Sequence, residues 1–121
     1  MISFNVADYM FKDSGIRNNG GKIMRKEREN EIYHDAIEIF GQTSQKVMAI
    51  EEMSELTKEL CKELRDRGNV ENIADELADV EITLAQLKII YNIHDLVDKH
   101  RDFKLNRLAK IMSDIKANKD K

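Results

Sequence analysis

At 121 residues the chain has length for one domain and little more. Hydrophobic residues make up 41% and charged residues 36%, a balance that four long amphipathic helices produce, since each keeps one apolar stripe and solvates the rest. The absence of proline argues against a loop-rich β-sandwich, and a formal charge of −3 gives no reason to expect bulk nucleic acid as a partner. A single cysteine, Cys61, excludes an internal disulfide and a multi-cysteine zinc site. No apolar run approaches the roughly 18 residues that span a membrane, and none at the start reads as a signal peptide. The expected location is the cytoplasm, with no membrane partner.

Residues 1–22 differ from the rest. Ile2, Phe4 and Val6 alternate like a short strand, and Asn18-Asn19-Gly20-Gly21 reads as a turn or hinge. This stretch is either an arm that packs on the domain or on a neighbouring subunit, or a disordered tail. Residues 23–121 then form the domain proper, with an all-α, four-helix-bundle-like pattern.

The spacing predicts a first helix from about Met24 to Phe40, with Ile32, Ala36, Ile39 and Phe40 on its apolar side and Gly41 ending it. A second opens near Thr43 or Ser44, both good N-caps, and runs to about Arg65 with the stripe Met53, Leu56, Leu60 and Leu64. Cys61 falls beside this stripe and reads as a buried, inert thiol. Gly68-Asn69 supplies a turn. The third helix begins near Val70 and carries Ile73, Leu77, Val80, Leu84, Leu87 and Tyr91, the alternating four-and-three spacing of a bundle seam. The fourth runs from about Ile93 to Ile115, with Asn92 as N-cap and Leu96, Phe103, Leu108 and Ile111 inside. Lys116 to Lys121 should fray. The short loop makes the second and third helices an antiparallel hairpin.

Two short motifs carry the chemistry: Glu51-Glu52-Met53-Ser54-Glu55 on the second helix and Glu76-Leu77-Ala78-Asp79 on the third. At about 100° per residue, Glu52 and Glu55 share one face, and Glu76 and Asp79 repeat the arrangement. Each acid precedes a stripe residue by one position, so both pairs flank the seam and can converge at one edge of the hairpin. Carboxylates gathered this way repel unless cations neutralise them. An all-oxygen set favours Mg²⁺ or Mn²⁺ over Zn²⁺, and Mg²⁺ is commonly completed by substrate phosphates. The opposing reading is a solvated helical face, with Lys58, Lys62 and Arg65 as ordinary i,i+3 and i,i+4 partners.

The pattern Glu51-Glu52-x-x-Glu55, twenty residues, then Glu76-x-x-Asp79 resembles the EExxE…ExxD signature of the MazG-like family. That family belongs to the all-α NTP pyrophosphohydrolase superfamily, with dimeric dUTPases and phosphoribosyl-ATP pyrophosphatase. Ala49-Ile50, Leu56 and Leu77-Ala78-Asp79-Val80 match as well, and the similarity covers about Tyr33 to Leu108. The resemblance implies that Glu52, Glu55, Glu76 and Asp79 ligate Mg²⁺ with Glu51 as an auxiliary ligand. It also implies a homodimer or homotetramer, and a nucleoside triphosphate split into monophosphate and pyrophosphate by water attacking the α-phosphorus, with Glu52 or Glu55 as base. Lys104 and Arg107 resemble the family's basic segment and would hold the β- and γ-phosphates, or form an ordinary basic face.

Gln45, seven residues before Glu52, lies on roughly the same face two turns away, where it can reach a base edge; His34 is the other base candidate. Each has a surface or packing role as its alternative. The family pattern is missing a tryptophan to stack the base, leaving Tyr33, Phe40 or Tyr91 for that task and the base specificity open. Competing functions are a dUTPase-like or phosphoribosyl-ATP pyrophosphatase activity, a degenerate nucleotide binder, and a non-catalytic helical interaction module.

Overall fold

The computed structural model describes residues 23–120, and the strand-like alternation and hinge read in residues 1–22 lie outside them. The described residues form four α-helices and no strand: α1 (Lys26–Phe40), α2 (Gln42–Leu64), α3 (Val70–Tyr91) and α4 (His94–Lys119). They fall into two compact units that divide between Ile90 and Tyr91. The first unit contains α1, α2 and nearly all of α3; the second is essentially α4.

In the first unit a single residue joins α1 to α2. Gly41 adopts φ 91°, a conformation that side chains disfavour, and its N–H caps α1 on the Ile37 carbonyl at 2.9 Å. Thr43 and Ser44, expected as N-caps, instead lie within the first turn of α2, because the glycine lets the chain turn one residue earlier. The α2–α3 connection is tighter in its demands. Asp66 takes φ 59°, and a Cβ on Gly68 would sit 2.7 Å from the backbone nitrogen of Glu63, so only glycine fits. Asn69 then opens α3: its Oδ1 accepts the Asn72 N–H at 2.7 Å, satisfying an amide that has no partner within the helix. Together these residues return α3 antiparallel along α2.

The inner face of this hairpin is rotated from the expected stripe by about one residue. In α2 the buried positions are Gln45, Met48, Ala49, Glu52 and Glu59, while Met53, Leu60 and Leu64 are exposed. In α3 they are Asp79, Val80, Thr83 and Gln86, while Leu77, Leu84 and Tyr91 are exposed. Apolar periodicity locates a greasy face and assumes that it points inward; here the neighbouring polar face does. The same rotation leaves Cys61 exposed rather than buried. In α1, Ala36 is buried as expected, but Ile39 faces outward.

In the second unit, α4 buries none of its residues, and Leu96, Phe103, Leu108 and Ile111 are all exposed. Its N-cap is Ile93 rather than Asn92, which takes φ 52° immediately after α3. Asparagine tolerates this left-handed conformation better than most residues, so it suits the end of one helix instead of the start of the next. Lys116 and Lys119, expected to fray, continue the helix, and their charges complement its C-terminal dipole. No helix among the described residues is long and apolar enough to cross a membrane.

Candidate metal centre on the α2–α3 hairpin

Three carboxylates meet across the hairpin. Glu52 from α2 and Glu76 and Asp79 from α3 each offer an oxygen, and these atoms lie within 4.8 Å of one another. The i,i+3 spacing of Glu76 and Asp79 stacks them on successive turns of α3, and the antiparallel return brings Glu52 opposite. Glu52 is only 5% exposed. Its carboxyl is pushed up to about 8, first by burial, then by the charges of Asp79 and Glu76, and by hydrogen bonding to both. Burial and the charges of Asp75 and Glu76 push Asp79 up to about 6, against a lowering hydrogen bond from Glu52. Glu76 is also raised, mainly by burial and Asp75.

These shifts describe a group of acids that cannot all ionise together in a poorly solvated seam. A buried Glu76 Oε2 without a hydrogen-bond partner adds a free lone pair at the same place. Among the described residues, no lysine or arginine forms an ion pair with the three acids; Lys62, further along α2, pairs with Glu59 at 3.2 Å. An all-oxygen donor set, partly buried and short of positive charge, fits a hard divalent cation such as Mg²⁺.

The remaining expected site residues are placed differently. Glu55 is exposed and outside the three-residue group, although its charge is close enough to raise Glu76. Glu51 is exposed on the outer side of α2. Glu59 was not singled out from the sequence, yet it is 7% exposed with Oε2 unpartnered, and it too raises Glu76. Its signal was available: Glu59 follows Glu52 by seven residues, two turns along the same face. Asp75, beside Glu76, raises both acids of α3 and was likewise missed.

His34 is exposed on α1. Gln45 is fully buried, together with Gln86 and Thr83 on α3, and both ends of each glutamine amide are without hydrogen-bond partners. Each such unpaired buried group costs about 1–3 kcal/mol. Thr83 does not relieve them, since its hydroxyl donates back to the Val80 carbonyl at 2.8 Å. Of the aromatic candidates, Tyr33 is half-buried with its phenol pushed up by burial and by the charges of Glu29 and Glu81; Phe40 is half-buried and Tyr91 exposed. Lys104 and Arg107 lie on α4, in the second unit. There Lys104 borders a shallow apolar trough of about 440 Å³ with Ile93, Leu96, Val97, Leu105 and Leu108.

No family model matches the chain, and no curated protein or solved structure is detectably similar to it.

Proposed function

We propose that this chain is a cytoplasmic, Mg²⁺-dependent hydrolase of the MazG-like kind, which converts a nucleoside triphosphate to a monophosphate and pyrophosphate. The observation that carries the reading is the meeting of Glu52, Glu76 and Asp79 within 4.8 Å across two helices, at the positions the sequence resemblance marks as ligands. Three acids held close in a poorly solvated seam, with two pushed well above the ordinary carboxylate range, make sense when a cation offsets their repulsion.

Glu52, Glu76 and Asp79 would hold the cation, and Glu55 lies outside that group, one turn along α2 from Glu52. When bound, Mg²⁺ supplies charge neutralisation for the carboxylates and the triphosphate, and Lewis acidity toward the α-phosphoryl group. The chain's own residues do the rest. With Glu52 occupied as a ligand, Glu55 has the lone pair free to accept the attacking water's proton. It is exposed and one turn from Glu52, where water can reach it. The hairpin holds these groups on rigid helices, so their spacing is set before substrate arrives. The phosphate-binding role of Lys104 and Arg107 rests on the sequence resemblance alone.

A homodimer or homotetramer accompanies this reading. Exposed Val47, Ile50, Met53, Leu60, Leu64, Leu77 and Leu84 give the hairpin an apolar exterior suited to a second copy. The same exterior favours the second reading, a helical interaction module in which the acids do no chemistry.

Product analysis separates the two. The purified chain incubated with nucleoside and deoxynucleoside triphosphates and Mg²⁺ should release monophosphate and pyrophosphate, with the reaction abolished by EDTA. Diphosphate and orthophosphate would mean attack at the γ-phosphorus and a wrong assignment of chemistry. No turnover of these or of phosphoribosyl-ATP would leave the interaction module.

A further inference from the structure

Helix α3 carries a second stripe, on the side away from its acids. Val70, Ala74, Leu77, Glu81, Leu84 and Lys88 recur at alternating intervals of four and three residues, the spacing of a coiled-coil seam. All but Lys88 are exposed, Leu77 by 44% and Leu84 by 42%. Helix α4 has a stripe of the same period in Val97, Arg101, Lys104, Leu108, Ile111 and Ile115. The apolar trough of about 440 Å³ runs along its first half, with Val97, Arg101, Lys104 and Leu108 among its walls. No residue of α4 is buried, so among the described residues both helices present a seam that is not covered.

The two seams complement each other in charge as well as in period. Helix α3 carries five acids and one lysine, whereas α4 carries seven lysines and arginines against four aspartates. Antiparallel pairing, which also opposes the helix dipoles, matches the two stripes at every position. Val70 then faces Ile115, Ala74 faces Ile111, Leu77 faces Leu108 and Glu81 faces Lys104. Leu84 falls under the aliphatic stem of Arg101, and Lys88 falls opposite Val97. A slide of one heptad either way sets Glu81 against Ile111 or Val97, a carboxylate on apolar surface without its cation. Neither Glu81 nor Lys104 has an ion-pair partner among the described residues. Pairing of α4 with a second α4 is disfavoured, because the seam cations Arg101 and Lys104 would meet another basic helix.

We propose that α4 docks on the outer face of α3 of a second copy in this register, and that two copies exchange the helices reciprocally. A second copy is the fitting occupant because every copy brings both members of the pair, and both are bare in the single chain. The exchange forms the same seam twice and closes on a two-fold axis, with no seam left over to extend a chain of copies. Glu81 and Lys104 fix the register and exclude the slipped alternatives, as a single polar pair does in a coiled coil. The inference deepens the second-copy part of the function proposed above and does not depend on hydrolysis.

Sedimentation velocity of the full chain over a concentration series tests it, with circular dichroism to report helical content. The samples are the wild type, Glu81→Lys, Lys104→Glu, and an equimolar mixture of the two variants. The expected result is a dimer for the wild type and dimerisation weakened tenfold or more in each variant alone, at unchanged helical content. The mixture should dimerise as strongly as the wild type. In it one seam carries the native pair and the other the charge-reversed pair, which only exchange between copies can bring about. A monomeric wild type, single variants that dimerise as the wild type does, or a mixture no stronger than its components overturns the exchange. The last of these is the outcome if α4 closes on its own α3. An exchanged dimer that hydrolyses no triphosphate overturns the hydrolase and leaves the exchange standing, and hydrolysis by a monomer does the reverse.

Discussion

Helices α2 and α4 have similar lengths, 23 and 26 residues, and both are densely charged, yet they are used in opposite ways. The buried set of α2 includes Gln45, Glu52 and Glu59, while its leucines Leu60 and Leu64 are exposed. Helix α4 buries nothing. Burial of acids and amides is costly without partners, so a helix that does it is organised for something other than its own stability. A helix of 26 residues that buries nothing gains little from packing within its own unit and draws mainly on its backbone and local charge pairs, such as Arg101 with Asp98 at 2.9 Å. The contrast assigns chemistry to the hairpin and leaves α4 with an apolar trough and basic side chains on display.

The contrast is sharpest at the three acids. Glu76→Gln and Asp79→Asn should each lower Mg²⁺-dependent hydrolysis by about a hundredfold or more, the range for losing a group that stabilises transition-state charge. In the metal-free protein the same changes should raise the melting temperature, because repulsion between buried acids is relieved. Activity loss accompanied by a lower melting temperature would make the acids structural and erase the distinction between the two helices.

A pH series bears on the same point. The carboxyls of Glu52 and Asp79 are raised to about 8 and about 6 in the folded chain, from 4.5 and 3.8. The folded state therefore binds more protons than the unfolded state between about pH 4 and 8, and stability must fall as pH rises through that window. Thermal melts of the metal-free chain should show this decline, and Mg²⁺ should restore most stability at its upper end, where the ligands are deprotonated. A Mg²⁺ effect that is largest at pH 5 would contradict the assignment.

Substitutions outside the seam should be milder. Asn69→Ala removes the oxygen that caps α3 and should cost about 1 kcal/mol in a denaturation experiment, without changing kcat. Phe103→Ser on α4 touches a residue that is largely exposed, so the thermal stability of the isolated chain should change by no more than about 0.5 kcal/mol. A much larger loss, measured with sedimentation to report association, would show that α4 is covered by another copy.

The elements themselves were legible in the sequence. The Gly68-Asn69 turn, the break at Gly41 and the four helical stretches follow from glycine conformation, capping and apolar spacing. What could not be read was the rotation of α2 and α3. Met53, Leu60, Leu77 and Leu84 follow the spacing of a seam and are exposed, because periodicity reports where apolar residues cluster, not which surface covers them. Glu52, Glu76 and Asp79 were expected beside the seam and meet within it, whereas Glu55 is exposed. Asn92 and Ser44 have side chains suited to N-caps, but the backbone conformations of Gly41 and Asn92 decided where the helices begin. Glu59 and Gln86 went unmarked because no motif contains them, although each lies seven residues from a marked acid.

The central claim is that Glu52, Glu76 and Asp79 form one cation site, and Mn²⁺ titration tests it most directly because the metal's own paramagnetic signal reports binding. The account predicts that the wild-type chain binds Mn²⁺ in competition with Mg²⁺, and that Glu52→Gln and Asp79→Asn each abolish the binding while the helical content is unchanged. Equal binding by wild type and both variants would place the cation elsewhere and contradict the account.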